Sequence, residues 1–366
     1  MPKDLRQTRH YEVSQQLRSL VADMGGGLLP THRELMQRFD ASQATIGHAV
    51  NRLRREGLIY RPVGRRRLAI RPMDRPATLR VCILRPDWPS AVYDHITAAV
   101  VGHGGELGWT FEHVTYRSMA EISLQEVSDG NSAVVLLTTS EPMPEQLSRG
   151  LGQPPIPVVV AQDSRPGLRA NTVCNDDSQM CRIGVRHLLG LGHKRIALVV
   201  PSSTTGPMQR AMRGWRQVME LAGETDLEDL VVDAMTPHRH DSREATYHAF
   251  GRYLQEHRGR FTAAYVASSA SAAAVMRALW EQGVGVPQEI SVVSADGLSG
   301  ECAYMCPPVT SVDTSNAEFG HAVAMLIDEQ LKDVSDASNR PREPRSLWID
   351  GHVTERRSTA KPRPIG

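Results

Sequence analysis

The stretch "LPTHRELMQRFDASQATIGHAVNRLRREGLIY", Leu29–Tyr60, limits what the N-terminal part of this chain can fold into more than any other feature. Leu35, Met36 and Phe39 make one short apolar face. Ile46, Ala49, Val50 and Leu53 fall at i, i+3, i+4 and i+7 of another, which is the period of a helix. Asp40 and Ala41 make a short turn between the two helices. Thr31-x-x-Glu34 after Pro30 has the spacing of a capping box, and Ser42 can cap the next helix. Upstream, Val13, Leu17, Leu20, Val21 and Met24 predict one face of an amphipathic helix ended by Gly25, Gly26 and Gly27. Downstream, Gly57 closes the third helix, and "LIY", "RPVG" and "RRRLAI" read as strand, tight turn and returning strand.

Helix, helix, short turn, helix, hairpin is the plan of a winged helix-turn-helix. The third helix is expected to point Gln43, Ala44, Thr45, Gly47 and His48 away from its apolar face, small or polar as a helix lying in a major groove requires. Gln can bond adenine in two places and Thr can touch a thymine methyl. Arg61, Arg65, Arg66 and Arg67 surround the hairpin turn, where guanidinium groups reach phosphates or a minor groove, and Gly64 lets the turn come close. Charge agrees. Residues 1–75 hold 15 Lys+Arg against 7 Asp+Glu, a net of +8, while the remainder carries −7. A basic module joined to an acidic body suggests a polyanion partner for the first part only, here a double-stranded DNA operator.

Over nearly its full length, this segment resembles the reader head of the GntR family. In that family the arginine of the segment read here as "HRE", the start of the recognition helix and the wing tip touch DNA. The resemblance therefore implies contacts from Arg33, Ser42, Gln43, Thr45 and Gly64, to which His48, Arg65, Arg66 and Arg67 are added as candidates. Gln43 and Gly47 stand where the family usually carries arginine.

"RPMDRPATL", Arg71–Leu79, has two prolines and few apolar residues and reads as an extended linker. Beyond it the pattern changes. "LRVCILR", "WTFEHVT", "SAVVLL", "IPVVVA", "RIALVV", "AAYVA" and "ISVVS" are strand-like. Helical stretches lie between them, among them Cys181–Leu189, Met208–Leu221 and Ala270–Gln282. Short apolar strands alternating with helices imply parallel sheets covered on both faces. Some 280 residues exceed one comfortable core, so two lobes are expected. Ligands of such sheets bind beyond the carboxyl ends of the strands. Asp87, Trp88, Tyr93, Thr138, Asp163, Arg210, Arg213, Ser268, Ser269 and Asp296 stand there, a set suited to a small polar ligand.

Catalytic and metal signatures are poor. None of the four lysines follows a glycine and precedes Ser or Thr, so no phosphate-binding loop is present. There is no H-E-x-x-H, "GHGGELG" (102–108) sits at a helix end, and "GLSG" (297–300) lacks the spacing of a nucleophile elbow. Cys302 and Cys306 are four apart with no second pair, so zinc is not expected, and five cysteines form no disulfide framework. No apolar run approaches the roughly 20 residues of a membrane span, and the N-terminus lacks the apolar core of a signal peptide. The expectation is a cytoplasmic protein with no cofactor, no metal and no membrane partner.

"VCNDDSQMCRIGVRHLLGLGHKRIALVV" (173–200) resembles the LacI/GalR effector domain. "GVGVPQEISVVSADG", "PPVTSV" and "ERRST" match further segments of that family in order. A GntR-type head on such a body resembles the arabinose-type repressors. The resemblance implies two periplasmic-binding-protein-like lobes, a homodimer, and DNA affinity set by a sugar or other metabolite in the cleft. It places an effector-contacting aromatic at Tyr93. The family arginine three residues before the Gly of "RGW" is Ala211 here, flanked by Arg210 and Arg213, and the family's Asn-Asp after "AAYVA" is Ser268-Ser269.

The sequence thus predicts an α/β chain in four parts: a winged helix-turn-helix over 1–70, a linker over 71–78, an effector-binding and dimerisation domain over 79–360 and a tail over 361–366. The expected function is a ligand-responsive transcription repressor. A constitutive dimeric regulator with a vestigial cleft stays open beside it, and so does an enzyme tethered to DNA.

Overall fold

The computed structural model describes residues 9–24, 27–55, 58–60, 67–70, 79–88, 90–237, 240–335 and 343–363. The chain forms two compact units, Met1–Thr78 and Leu79–Gly366. Most of the linker, the wing-tip positions Arg61, Gly64, Arg65 and Arg66, and the end of the tail lie outside the described residues.

In the first unit, helix α1 (Arg9–Met24) is followed by strand β1 (Gly27–Leu28), α2 (His32–Phe39), α3 (Gln43–Arg55), β2 (Ile59–Tyr60) and β3 (Ala69–Ile70). The strands pair antiparallel in the order β1-β3-β2. Val13, Leu17, Leu20 and Val21 of α1, Leu35 of α2 and Ile46, Ala49, Val50 and Leu53 of α3 close over Ile59 and Ile70 as one core. Met24, expected on that face, is exposed instead. The capping box is formed: Glu34 N–H donates to Thr31 Oγ1 (3.3 Å) and Thr31 N–H to Glu34 Oε2 (2.6 Å). Asp40 ends α2 in the left-handed conformation, φ 45°.

The second unit has two lobes. The first contains β4 (Arg80–Pro86), α4 (Ala91–Glu106), β5 (Thr110–Tyr116), α5 (Leu124–Ser128), β6 (Ala133–Leu137), α6 (Glu145–Gly152), β7 (Val158–Ala161) and β8 (Asn171–Asn175). The second contains α7 (Asp177–Gly190), β9 (Ile196–Val200), α8 (Gly206–Leu221), β10 (Val231–Asp233), α9 (Ser242–Glu256), β11 (Ala263–Val266), α10 (Ser269–Glu281), β12 (Ser291–Gly297) and β13 (Thr310–Asp313). The chain returns to the first lobe for α11 (Asn316–Ser335) and β14 (Ser346–Ile349), then crosses again to β15 (His352–Thr354). The sheets run β5-β4-β6-β7-β8-β14 and β10-β9-β11-β12-β13-β15, and only β15 is antiparallel to its neighbour. β6, β9 and β11 are buried throughout, as strands covered on both faces must be.

Three passages therefore join the lobes, at 175–177, 313–316 and 349–352. They are tied together. Asp176 N–H donates to Ile349 O (3.0 Å), and Gln179 exchanges two side-chain bonds with the Gly351 backbone (2.9 and 3.1 Å). Gly351 has no room for more: an added Cβ would lie 2.7 Å from both Met180 Cγ and Val312 Cγ1. α11 returns to pack on α4, with Phe319, Val323 and Ile327 among Ile96, Ala99 and Val100. Farther along, the "ERRST" segment is sewn into the second lobe. Ser358 is fully buried, donates to Val292 O (2.6 Å) and accepts from Thr310 N–H (2.7 Å). Buried His193 bonds Thr262 Oγ1 (2.8 Å) and Ala360 O (2.9 Å).

Candidate functional site

Two surfaces hold the sequence-expected residues. On the first unit, Gln43, Ala44 and His48 of α3 are exposed, and so is Arg33 near the start of α2. Ser42 caps α3: Thr45 N–H donates to its Oγ (3.3 Å), and the Ser42 and Thr45 hydroxyls bond each other (3.0 Å). Thr45 is consequently buried, 6% exposed, not on the outward face where the spacing put it. A threonine hydroxyl satisfied by its own cap residue can turn inward at little cost. Arg67 donates to Leu29 O (3.2 Å), which ties the returning strand to the chain before α2. Sequence reasoning missed Asn51 and Arg54, also exposed on α3. The signal was there, since Asn51 lies four residues after Gly47.

On the second unit, the carboxyl ends of the strands meet between the lobes. In the first lobe the expected residues form one chain of contacts. The Trp88 and Tyr93 rings meet edge-on at 6.2 Å. Tyr93 donates to Thr138 O (3.0 Å), and burial pushes its phenol up to about 12. Thr138 Oγ1 donates to Asp163 Oδ2 (2.7 Å). Asp163, buried, also accepts from Arg165 Nε (2.7 Å) and Arg165 N–H (3.0 Å). Arg165 was missed although it stands in the "QDSR" stretch. Its other nitrogens donate to Glu141 O and Thr139 O, both at 2.8 Å, so it pins the segments after β6 and β7 together. Asp87 pairs with Arg117 at 3.4 Å and is more exposed.

In the second lobe, Ser269 donates to Glu301 Oε2 (2.9 Å) and accepts from Ser299 Oγ (3.2 Å). Ser299 also bonds the buried Asp296, which accepts from Cys302 N–H at 3.1 Å. Ser268 is spent as the cap of α10, accepting from Ser271 N–H (3.2 Å), and Arg213 lies exposed on α8 apart from this cluster.

Arg210 is the one candidate that spans both lobes. From α8 it donates to Asp177 Oδ2 through Nε (3.1 Å) and Nη2 (2.7 Å), reaches Ser164 Oγ of the first lobe through Nη1 (3.0 Å), and lies 5.4 Å over the Trp348 ring of β14. Burial raises the Asp177 carboxyl to about 6, and Arg210 offsets only part of that rise.

The arrangement suits binding better than chemistry. Burial raises the thiols of Cys82 and Cys174 to about 12, far from a nucleophile's range. Among the described residues no group of three His, Cys, Asp or Glu could hold a metal ion, and no helix is long and apolar enough to cross a membrane.

Comparison with known proteins places the second unit. The periplasmic binding protein-like domain matches residues 185–359, just under half of the chain. The transcriptional regulator DegA of Bacillus subtilis is 25% identical over 254 residues, 66% of this chain and 71% of its own length. The chain spans about half the length of several other curated regulators it matches. Among solved structures, a LacI family regulator from Enterococcus faecium with bound ribose has a TM-score of 0.63 at 17% identity over 78% of this chain and 100% of that one. The regulator CelR in complex with cellobiose has a TM-score of 0.63 at 21% identity, over 87% and 91%. At those identities the likeness is one of fold. The family domain begins at residue 185, well past the head, and several of the curated relatives are named HTH-type transcriptional regulators. The second unit is thus similar in fold to the periplasmic-binding-protein-like body of LacI-family transcription regulators, with two parallel-sheet lobes.

Proposed function

We propose that this chain is a homodimeric transcription regulator with a GntR-type winged helix-turn-helix head, in which a small polyhydroxylated effector between the lobes sets affinity for a two-fold operator. In the head, α3 is the reading helix and the β2–β3 hairpin is the wing. Arg33, Ser42, Gln43, His48, Gly64 and the arginines 65–67 are its DNA contacts, with Thr45 acting through the cap of α3. In the body, Asp87, Trp88, Tyr93, Thr138, Asp163, Arg210, Ser269 and Asp296 line or support the effector site.

The observation that carries this reading is the position of Arg210, bonded within its own lobe and to Ser164 of the opposite one. A ligand that takes over the bond to Ser164 changes what holds the lobes together. An effector acts only through such differential affinity for two arrangements. Ribose and cellobiose, bound by the two regulators of similar fold, are the chemical class to test first.

Operator binding by the full-length protein, followed by fluorescence anisotropy with and without pentoses, hexoses and disaccharides, tests both halves. Affinity should fall with salt at a log–log slope of about −0.9 per neutralised phosphate, and one sugar should shift it. The saturated pairing of Asp163 with Arg165 and of Asp177 with Arg210 favours a second reading, in which the cleft is vestigial and the regulator constitutive. DNA binding indifferent to every metabolite would select it.

A further inference from the structure

The outward face of α3 carries two primary amides on one row, Gln43 and Asn51, with Gly47 midway between them. Residues four apart lie one above the other on a helix face. The opposite face is spent on the core through Ile46, Ala49, Val50 and Leu53. Glycine in a helix interior is unfavourable relative to alanine. At several other glycines the fold supplies the reason: an added Cβ would lie 2.4 Å from Ser178 O at Gly214 and 2.4 Å from Ala99 O at Gly320. Gly47 has no such reason. A Cβ there would meet nothing within 4 Å, and its φ is not in the left-handed region. The packing of the free chain does not require this glycine, any more than it requires Gly102 or Gly105 of α4, but here the missing Cβ leaves the exposed helix backbone open to close approach.

The amides on either side say what would approach. A planar amide offers one donor and one acceptor side by side, and the major-groove edge of adenine presents the matching N7 acceptor and N6 donor. The charge of residues 1–75, +8, fits a polyanion. We propose, resting on the reading of the first unit as a DNA-binding head, that α3 docks with its backbone at Gly47 against the base edges. Gln43 and Asn51 each read one adenine. Eight residues of helix span about 12 Å. With base pairs stacked about 3.4 Å apart along the duplex axis, and somewhat farther apart along the inclined groove, the half-site contains two A·T pairs about two to four base pairs apart, on either strand. Asn51 is thereby a specificity-determining residue, and Gly47 a position where helix stability is given up for close approach.

The test is selection from a randomised double-stranded oligonucleotide pool by the full-length protein and by Gln43→Ala, Asn51→Ala and Gly47→Ala, with thermal unfolding of each. The wild type should enrich two adenines at that spacing. Gln43→Ala and Asn51→Ala should each erase preference at one of them, by tenfold or more, and leave the other intact. Gly47→Ala should melt no lower than the wild type, yet bind the selected site at least tenfold more weakly. Asn51→Ala weakening all sequences alike would place Asn51 on a phosphate and overturn the inference, as would Gly47→Ala binding with wild-type affinity. A wild-type protein that enriches nothing at low salt would remove the DNA-binding head itself, and this inference with it.

Discussion

Asp177 and Arg210 show how much a single pair can be made to do. Their side chains are 19% and 12% exposed, so breaking the pair leaves a charge in a poorly solvated place. Arg210→Ala should lower the stability of the second unit by about 3–5 kcal/mol, read as a drop in its unfolding transition. The pH dependence has an unusual sign. Because burial raises the Asp177 carboxyl to about 6 from its ordinary 3.8, the folded chain binds a proton there that the unfolded chain does not. Its contribution to stability therefore grows as pH falls from above 6 toward 4, opposite to a carboxylate whose folded pKa is depressed. Asp177→Asn should remove that gain, so that the difference in melting temperature between pH 7 and pH 5 changes relative to wild type. An unchanged difference would show that the carboxyl titrates as it does in water. The sequence marked Arg210 and Asp163 as candidates but not their partners Asp177 and Arg165. Arg165 stands two residues after Asp163 and was within reach of a local reading, whereas which carboxylate meets Arg210 depends on how distant segments are juxtaposed, and no local spacing encodes that.

At the scale of elements, caps and close approaches carry the specific energetics. Ser42→Ala removes the cap of α3 and strands the buried Thr45 hydroxyl, and should cost the first unit about 1 kcal/mol or somewhat more. Gly320→Ala should be worse, by about 1–3 kcal/mol, because its Cβ would strike the Ala99 carbonyl and α11 would have to lift from α4. Chemical denaturation of each variant checks both. The three helices of the first unit were legible because apolar residues repeat at helical period and both caps are written in Ser/Thr-x-x patterns. Thr45 was misread because period alone cannot tell a polar residue satisfied inside from one facing out. The buried strands β4, β6, β7, β9, β11 and β12 were legible as apolar runs. β8 and β13 were not named as strands, since "NTVCN" and "TSVD" are half polar. In β13 the buried polar groups find partners on a distant segment. Ser358 receives Thr310 N–H, and the Thr310 and Thr359 hydroxyls bond each other at 3.1 Å.

For the whole molecule, two lobes joined by three passages make a body whose arrangement a ligand can bias. An effector at about 100 times its dissociation constant adds roughly 2.7 kcal/mol. Thermal unfolding with a matching sugar should therefore shift the transition of the second unit and leave that of the first in place. The two-lobe plan was legible from the length of the body, and its parallel sheets from the alternation of strands and helices. The order of the crossings was not, because α11, β14 and β15 are far in sequence from the sheets they complete. That interleaving bears on how the protein is made. A ribosome delivers the first lobe's strands β4–β8 early, but that lobe stays without α11 and β14 until residue 349 has emerged. The second lobe waits for the buried Ser358 a few residues later. Both lobes thus reach completion almost together, once residues 349–358 have emerged. A product halted anywhere between residues 176 and 345 would hold neither lobe whole, and cells should clear it as an unfinished body rather than accumulate it.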